Sequence, residues 1–385
     1  MSSATVPAVR SAARARPGVW TIVLFGIVAA ALVFAVQRWT SGLGAVSNLS
    51  DRYPWGVWKA FNVLGGVAMG AAGFTIMGTV YIFHARRFQP IVKPAVLMAF
   101  LAYSTAAASL VVDIGKSWAI WHPIVMWNPE SILFDVAWCL MLYTTVLLLE
   151  GSGMLFEKLG WHKLVKVQHA VTVPVVIVGI LLSTMHQSSL GALFLIVPGK
   201  LHPLWYTQSL PILFFVSAIA VGFAMVIVLA RLAGRESPAI ATPILSDVAR
   251  VLVGVLGVYT AVRTYDLVSR GVFAMAWQPT YEALMVQIEF MLGVVVPMVM
   301  LAFPAVRASA KWMYVAAVLV VMGFIANRLN VSITGFEWKQ GGHYVPALSE
   351  MAISLAFVAA AVVAFRWGAR FLGVFSPKAS WTAHE

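Results

Sequence analysis

The chain has 385 residues, 61% hydrophobic and only 10% charged, with a mean hydropathy of +0.89 and a formal net charge of +12. A soluble domain carries about 25% charge, so a soluble globular fold is excluded. The lone cysteine, Cys139, excludes an intrachain disulfide, a Cys-x-x-Cys zinc site and an iron–sulfur cluster built from this chain alone. The positive charge sits on no soluble domain that would make a nucleic-acid surface.

The predicted class is an all-α, polytopic integral membrane protein. Its apolar runs are continuous for about 20 residues, whereas a barrel strand would alternate. A polar tail, 1–17, carries Arg10, Arg14 and Arg16, and no cleavage site follows, so the first helix (18–36) is retained. The second helix, 55–83, enters behind Tyr53-Pro54-Trp55. The third, 95–112, is closed by Asp113. The fourth, 131–149, carries Asp135 one turn inside and Glu130 at its mouth. The fifth, 168–184, runs into the polar stretch Thr184-Met185-His186-Gln187-Ser188-Ser189-Leu190-Gly191.

The sixth helix, 208–230, enters behind His202-Pro203-Leu204-Trp205, an echo of the second. That echo predicts two four-helix units, two to five and six to nine, plus flanking helices. The seventh, 249–267, holds Arg263 and Asp266 three apart, on one face. The eighth, 281–303, holds Glu282 and Glu289; Glu289 lies roughly 15 Å in, at 1.5 Å per residue. The ninth, 312–326, ends before Asn327, Arg328 and Asn330, and the tenth spans 346–365. The organisation expected is a tail (1–17), a membrane domain (18–370) and a second tail (371–385).

Of the 26 Lys and Arg, 17 fall on the side where odd-numbered helices begin, including Arg235 and Lys378. The positive-inside rule then puts both termini in the cytoplasm. The opposite connections are longer and rich in Trp, Pro, His and Gly, which suits a docking surface.

An ionisable side chain near mid-membrane costs roughly 2.5–3.5 kcal/mol on insertion scales, so it marks an ion, proton or cofactor route. Asp135, Glu289, Arg263 and Asp266 are therefore proton-relay candidates, with a helix-tying ion pair as the alternative for Arg263–Asp266. A b-type haem needs two histidines facing each other inside the membrane, and no histidine is central, so haem is not expected. His186 can hydrogen-bond a quinone carbonyl and pass its protons. No metal ligand set is present.

Several segments together carry a family resemblance. They are Gly42-Leu43-Gly44-Ala45-Val46-Ser47-Asn48-Leu49, Tyr53-Pro54-Trp55-Gly56-Val57-Trp58, Val112-Asp113-Ile114-Gly115, the 128–135 stretch, Thr184–Gly191 and His202–Trp205. Over about 18–370 the chain resembles the HybB-like branch of the NrfD (polysulfide reductase membrane subunit) family. The resemblance implies a membrane subunit of a multi-subunit respiratory oxidoreductase in the bacterial inner membrane. An outer-face ferredoxin-like iron–sulfur subunit would exchange electrons with menaquinone or ubiquinone bound here, with proton translocation coupled to it if the proton route reaches the cytoplasm. A NiFe hydrogenase would be the catalytic partner, with another quinone-linked reductase or electron-transfer complex as the alternative. Trp55, Trp58, Asp113, His186 and Gln187 are the quinone candidates under this reading. A secondary transporter, favoured by the carboxylates and the repeat, and a purely structural anchor are the rival classes.

Overall fold

A computed structural model of the protein describes residues 19–233 and 242–375, so the expected tail at 1–17, the part of the 371–385 tail from 376 onward, Arg235 and Lys378 lie outside the described residues. Ten helices are long and apolar enough to cross a membrane: α1 (Ile22–Ser41), α2 (Trp58–Ile82), α3 (Arg86–Asp113), α4 (Ile132–Leu159), α5 (His162–Ala192), α6 (Leu210–Arg231), α7 (Thr242–Ser269), α8 (Tyr281–Ala302), α9 (Ala310–Glu337) and α10 (Leu348–Phe371). No strand occurs among the described residues. Helices are the open architecture that satisfies every backbone group in lipid.

Helices α2, α3, α4 and α5 pack in a ring, and α6, α7, α8 and α9 form a second ring. The rings meet where α2 packs on α6 and α9 and where α5 packs on α6. The outlying pair α1 and α10 pack on each other, and α10 leans on α2 and α3. Small residues set the closest crossings. A Cβ on Gly222 would fall 2.9–3.1 Å from the backbone of Ala71 and Ala72, and one on Gly293 would fall 2.3 Å from Gly323 Cα. With no hydrophobic drive between helices in lipid, such backbone approach supplies the packing.

Helices begin where polar side chains satisfy the first amides. The Ser131 hydroxyl accepts from Phe134 N at α4, and the Thr280 hydroxyl accepts from Ala283 N at α8. Gly160, in the left-handed region at φ 71°, closes α4 and turns the chain into α5. π-Helical turns interrupt α2 (Trp58–Gly65), α8 (Ile288–Val295) and α9 (Asn330–Thr334). Such turns concentrate at functional sites, and these three each carry a buried polar residue, Asn62, Glu289 and Asn330, whereas a fourth, Gly78–Ile82 at the end of α2, carries none.

Several predicted boundaries fall short. α3 starts at Arg86 rather than 95, α4 continues to Leu159 rather than 149, α5 continues to Ala192 rather than 184, and α9 continues to Glu337 rather than 326. At α3 and α9, polar residues taken as leaving the bilayer bond to other helices, Lys93 to Glu157 and Asn327 to Glu289; at α4 and α5, Glu150 and His186 are buried between helices. One face of the molecule carries the longer connections, around 42–57, 114–131, 193–209 and 338–347; the other carries short ones. They are called here the long-loop and short-loop faces.

Candidate functional site

Three buried polar groups stand out, one inside each helical ring and one beside them. In the first ring, α4 presents Asp135, Cys139, Tyr143 and Glu150, spaced so that all fall on one face. Asp135 Oδ2 accepts a short hydrogen bond from the Ser189 hydroxyl on α5, and its Oδ1 lies 3.7 Å from Cys139 Sγ. One turn deeper, His186 and Gln187 are 0% exposed. Gln187 Nε2 donates to Val67 O (3.3 Å) and to the Tyr103 phenol (3.5 Å). The Tyr103 ring packs edge-on against Tyr143 at 4.6 Å and lies 5.6 Å from the His186 ring. The Ser183 hydroxyl sits beside both phenols.

Deeper still, Glu150 is buried against Gly179, where an added Cβ would lie 3.5 Å from its Oε1. Gln168 follows on α5, and the Lys93–Glu157 pair (2.6 Å) closes the line at the short-loop face. The column therefore runs nearly the full depth of the ring. It is also under-satisfied: Tyr143 Oη, Ser183 Oγ, both His186 nitrogens, Gln187 Oε1 and Gln168 Oε1 lack a hydrogen bond of good geometry within the chain. Each such atom costs about 1–3 kcal/mol when left alone, so a line of them is a place built to bind water or a ligand.

In the second ring the central carboxylate is well bonded, although Arg328 Nε, Thr260 Oγ1 and Ser332 Oγ lack a hydrogen bond of good geometry. Glu289 accepts from Trp205 Nε1 (3.1 Å), Asn327 Nδ2 (3.2 Å) and Asn330 Nδ2 (2.7 Å), with Arg263 at 3.9 Å. Arg263 also donates to Leu204 O (2.8 Å). Arg328 donates to Ser217 Oγ (2.6 Å) and stacks on Phe214, 3.6 Å from the ring centroid. The expected Arg263–Asp266 pair does not form. Asp266 pairs instead with Arg270 (2.6 Å), one helical turn on, and accepts from the Thr207 hydroxyl. Arg263 turns inward to Glu289, because the interior offers it a carboxylate and a carbonyl while Asp266 faces the 193–209 loop.

The third group lies at the long-loop end of α2, α3 and α10. Asp113 pairs with Lys59 (3.2 Å), whose ammonium also stands 5.5 Å over the Trp55 ring. Trp58 Nε1 donates to Glu350 O (3.0 Å). Glu350 accepts from Asn48 N (2.9 Å), Ala347 N (2.8 Å) and the Tyr344 phenol. Burial and the Glu350 carboxylate push the Tyr344 phenol far above its ordinary pKa, which keeps it a donor. Gly56 makes this arrangement possible, since a Cβ there would fall 2.5 Å from Tyr344 Oη. One turn inward, Asn62 Nδ2 donates to Ser354 Oγ (3.2 Å), while Asn62 Oδ1 is buried and unpartnered.

Asn62 lies at the long-loop end of an apolar cavity of about 790 Å³ between α2, α3, α6 and α10. Thr105 is a second polar residue on its wall near that end, and Arg366 and Arg370 stand at the other end. The structure thus brings Trp58, Asp113 and Trp55 into one layer, puts His186, Gln187 and Asp135 in the first ring, and puts Glu289 and Arg263 in the second. Sequence reasoning missed Asn62, Tyr103, Tyr143, Ser183, Glu150 and Glu350. The Asp135–Cys139–Tyr143 spacing of four was a legible signal for the column; Asn62 carried none.

These features define a helical membrane protein with an apolar cavity and a buried polar column. Sequence comparison gives the family. The profile for Polysulphide reductase, NrfD, matches residues 45–337, and the chain belongs to this family. It is 35% identical to a protein of Nitratidesulfovibrio vulgaris (89% of this chain, 90% of that one). It is 30% identical to the probable Ni/Fe-hydrogenase 2 b-type cytochrome subunit of Escherichia coli (92% of each). It is 28% identical to the menaquinone reductase integral membrane subunit of N. vulgaris (94% and 92%).

Proposed function

We propose that this chain is the quinone-reactive membrane subunit of a multi-subunit respiratory oxidoreductase. The observation that carries the reading is the apolar cavity ending on an orphaned, buried amide oxygen. Its walls suit an isoprenoid tail, and its end offers Asn62 Nδ2 to a quinone carbonyl and Asn62 Oδ1 to a quinol hydroxyl. Quinone takes up two electrons and two protons to give quinol. This chain's residues hold the ring and manage the protons, while electrons come from or go to a cluster-bearing partner. Trp58, Lys59, Asp113 and Glu350 stand next to that end and fix the surrounding charge.

The partner suggested is a ferredoxin-like iron–sulfur subunit on the long-loop face, with a NiFe hydrogenase behind it. The similarity to the Escherichia coli Ni/Fe-hydrogenase 2 subunit supports a hydrogenase partner, and that to the menaquinone reductase membrane subunit supports a quinone-linked complex. The positive-inside count supports a bacterial inner membrane with both termini in the cytoplasm and the long-loop face outside. The first-ring column supports a proton route: Asp135, His186, Tyr143, Ser183 and Glu150 form a graded line of groups able to exchange protons through water. In the second ring, the fully bonded Glu289, Arg263 and Asp266 support a structural role.

A b-type haem does not fit the residues present. The three histidines within the described spans, His162, His169 and His186, all lie on α5, so no pair faces across a haem from two helices. No step is assigned to one.

The test is quinol or quinone turnover by the complex purified with its natural partners. Asn62→Leu should raise the KM for a tailed menaquinone analogue by about tenfold, the value of one lost hydrogen bond to a buried group. Subunit composition should stay the same. An unchanged KM would remove the cavity from the reaction.

A further inference from the structure

We infer that the short-loop end of this cavity is a binding site for an anionic phospholipid, with its phosphate on Arg366 and Arg370 and one acyl chain inside the cavity. The site goes beyond the quinone reading and rests only on the chain spanning a membrane. Its two arginines lie on α10, beyond the matched residues 45–337.

Geometry and charge carry the argument. Arg366 and Arg370 are four apart on α10, on one face, both exposed and both at the cavity mouth. Two guanidinium forks at that spacing suit the non-bridging oxygens of one phosphate. Lys158, at the end of α4, reaches the same end, its ammonium 5.9 Å from the Phe371 ring. The neighbouring Glu157 is tied to Lys93 (2.6 Å), and α10 has no carboxylate after Glu350. Among the described residues, the basic side chains at this end outnumber the carboxylates.

Below the mouth the wall turns apolar at once, with Phe365, Ala369, Met98, Leu229 and Phe375. Trp367 and Phe371 stack beside it, ring centroids 5.1 Å apart and planes at 4°, and both are exposed. Aromatic rings of this kind sit at the headgroup level. Basic pockets between helices on the cytoplasmic side bind anionic headgroups, and this one adds a matching slot for a chain. Ser354, which bonds Asn62, is twelve residues before Arg366, or about 18 Å along α10. The phosphate and the quinone ring therefore occupy opposite ends.

The experiment is native mass spectrometry of the purified complex after exchange with vesicles of phosphatidylglycerol or phosphatidylcholine. The wild type should retain phosphatidylglycerol in at least tenfold preference, since each basic contact near the surface is worth about fivefold. Arg366→Gln with Arg370→Gln should abolish the preference, while Lys163→Gln with Lys166→Gln, on the same face, should keep it. Glycerol phosphate alone should not be retained. Equal retention of both lipids by the wild type, or preference surviving in the double arginine variant, would overturn the site. Retention of glycerol phosphate would overturn the role of the acyl slot. Asn62→Leu should leave lipid retention unchanged, so this proposal and the quinone reading fail separately.

Discussion

Gly323→Ala places a methyl group where α8 and α9 cross. The new Cβ would lie 2.1 Å from Gly293 Cα, whereas carbon atoms rest about 3.5–4.0 Å apart. The helices must separate by about 1.5 Å, because the obstacle is backbone and has no rotamer to yield. One turn away, the Asn327–Glu289 bond (3.2 Å) then exceeds hydrogen-bonding reach, and the Asn330–Glu289 bond (2.7 Å) lengthens with it. Overpacking costs about 1–3 kcal/mol, and interhelical bonds in membranes average about 0.6 kcal/mol each, so the loss should be about 2–4 kcal/mol. The steric term dominates. Detergent unfolding followed by tryptophan fluorescence measures it, with Trp205 as a reporter within the network. Gly254→Ala is the control, since a Cβ there meets nothing within 4 Å. A Gly323→Ala protein within about 0.5 kcal/mol of that control would refute the close-crossing argument.

Asp135→Asn should abolish quinone turnover and leave assembly intact; normal turnover would remove Asp135 from the mechanism. Glu150→Gln keeps shape and hydrogen bonding but cannot release a proton, so pH change in a vesicle lumen during turnover should fall to the scalar level. Unaltered vectorial uptake would exclude the first-ring column. His202, outside the spans, is pushed below its ordinary pKa near 6.5 by burial, and its neutral Nδ1 accepts from Leu204 N (3.1 Å). The unfolded state then binds the proton more readily, so this contribution is complete above about pH 6.5 and declines as pH falls below it. Limited proteolysis of the 193–209 loop should accelerate in that range, and His202→Asn, which keeps an acceptor, should remove the acceleration.

The ten helices were legible in the sequence because a run of about 20 apolar residues has few other readings, while the two four-helix rings rested only on the Pro and Trp echo before α2 and α6. Helix ends were not. Hydropathy treats a polar residue as an exit from the bilayer, but Glu150, His186 and Asn327 stay inside by finding neighbours on other helices. The same blindness explains the Arg263–Asp266 pairing. Spacing says which residues share a face; it does not say which face meets a carboxylate on α8. The column was half legible, since Asp135 was singled out and Tyr143 and Glu150 follow it on the same face. Asn62 was illegible, an ordinary amide whose meaning comes only from the cavity it lines.

α10 closes one side of that cavity, and it lies outside the family-matched segment, as α1 does. A relative that stopped after α9 would present α2 and α3 to the bilayer as an open trough, and a hydrophobic molecule could slide in anywhere along it. With α10 in place the trough becomes a sleeve, and entry becomes a matter of ends and seams. The tenth helix therefore bears on traffic in two ways: it narrows the approach to the cavity, and through Ser354 it holds Asn62 at the cavity's end.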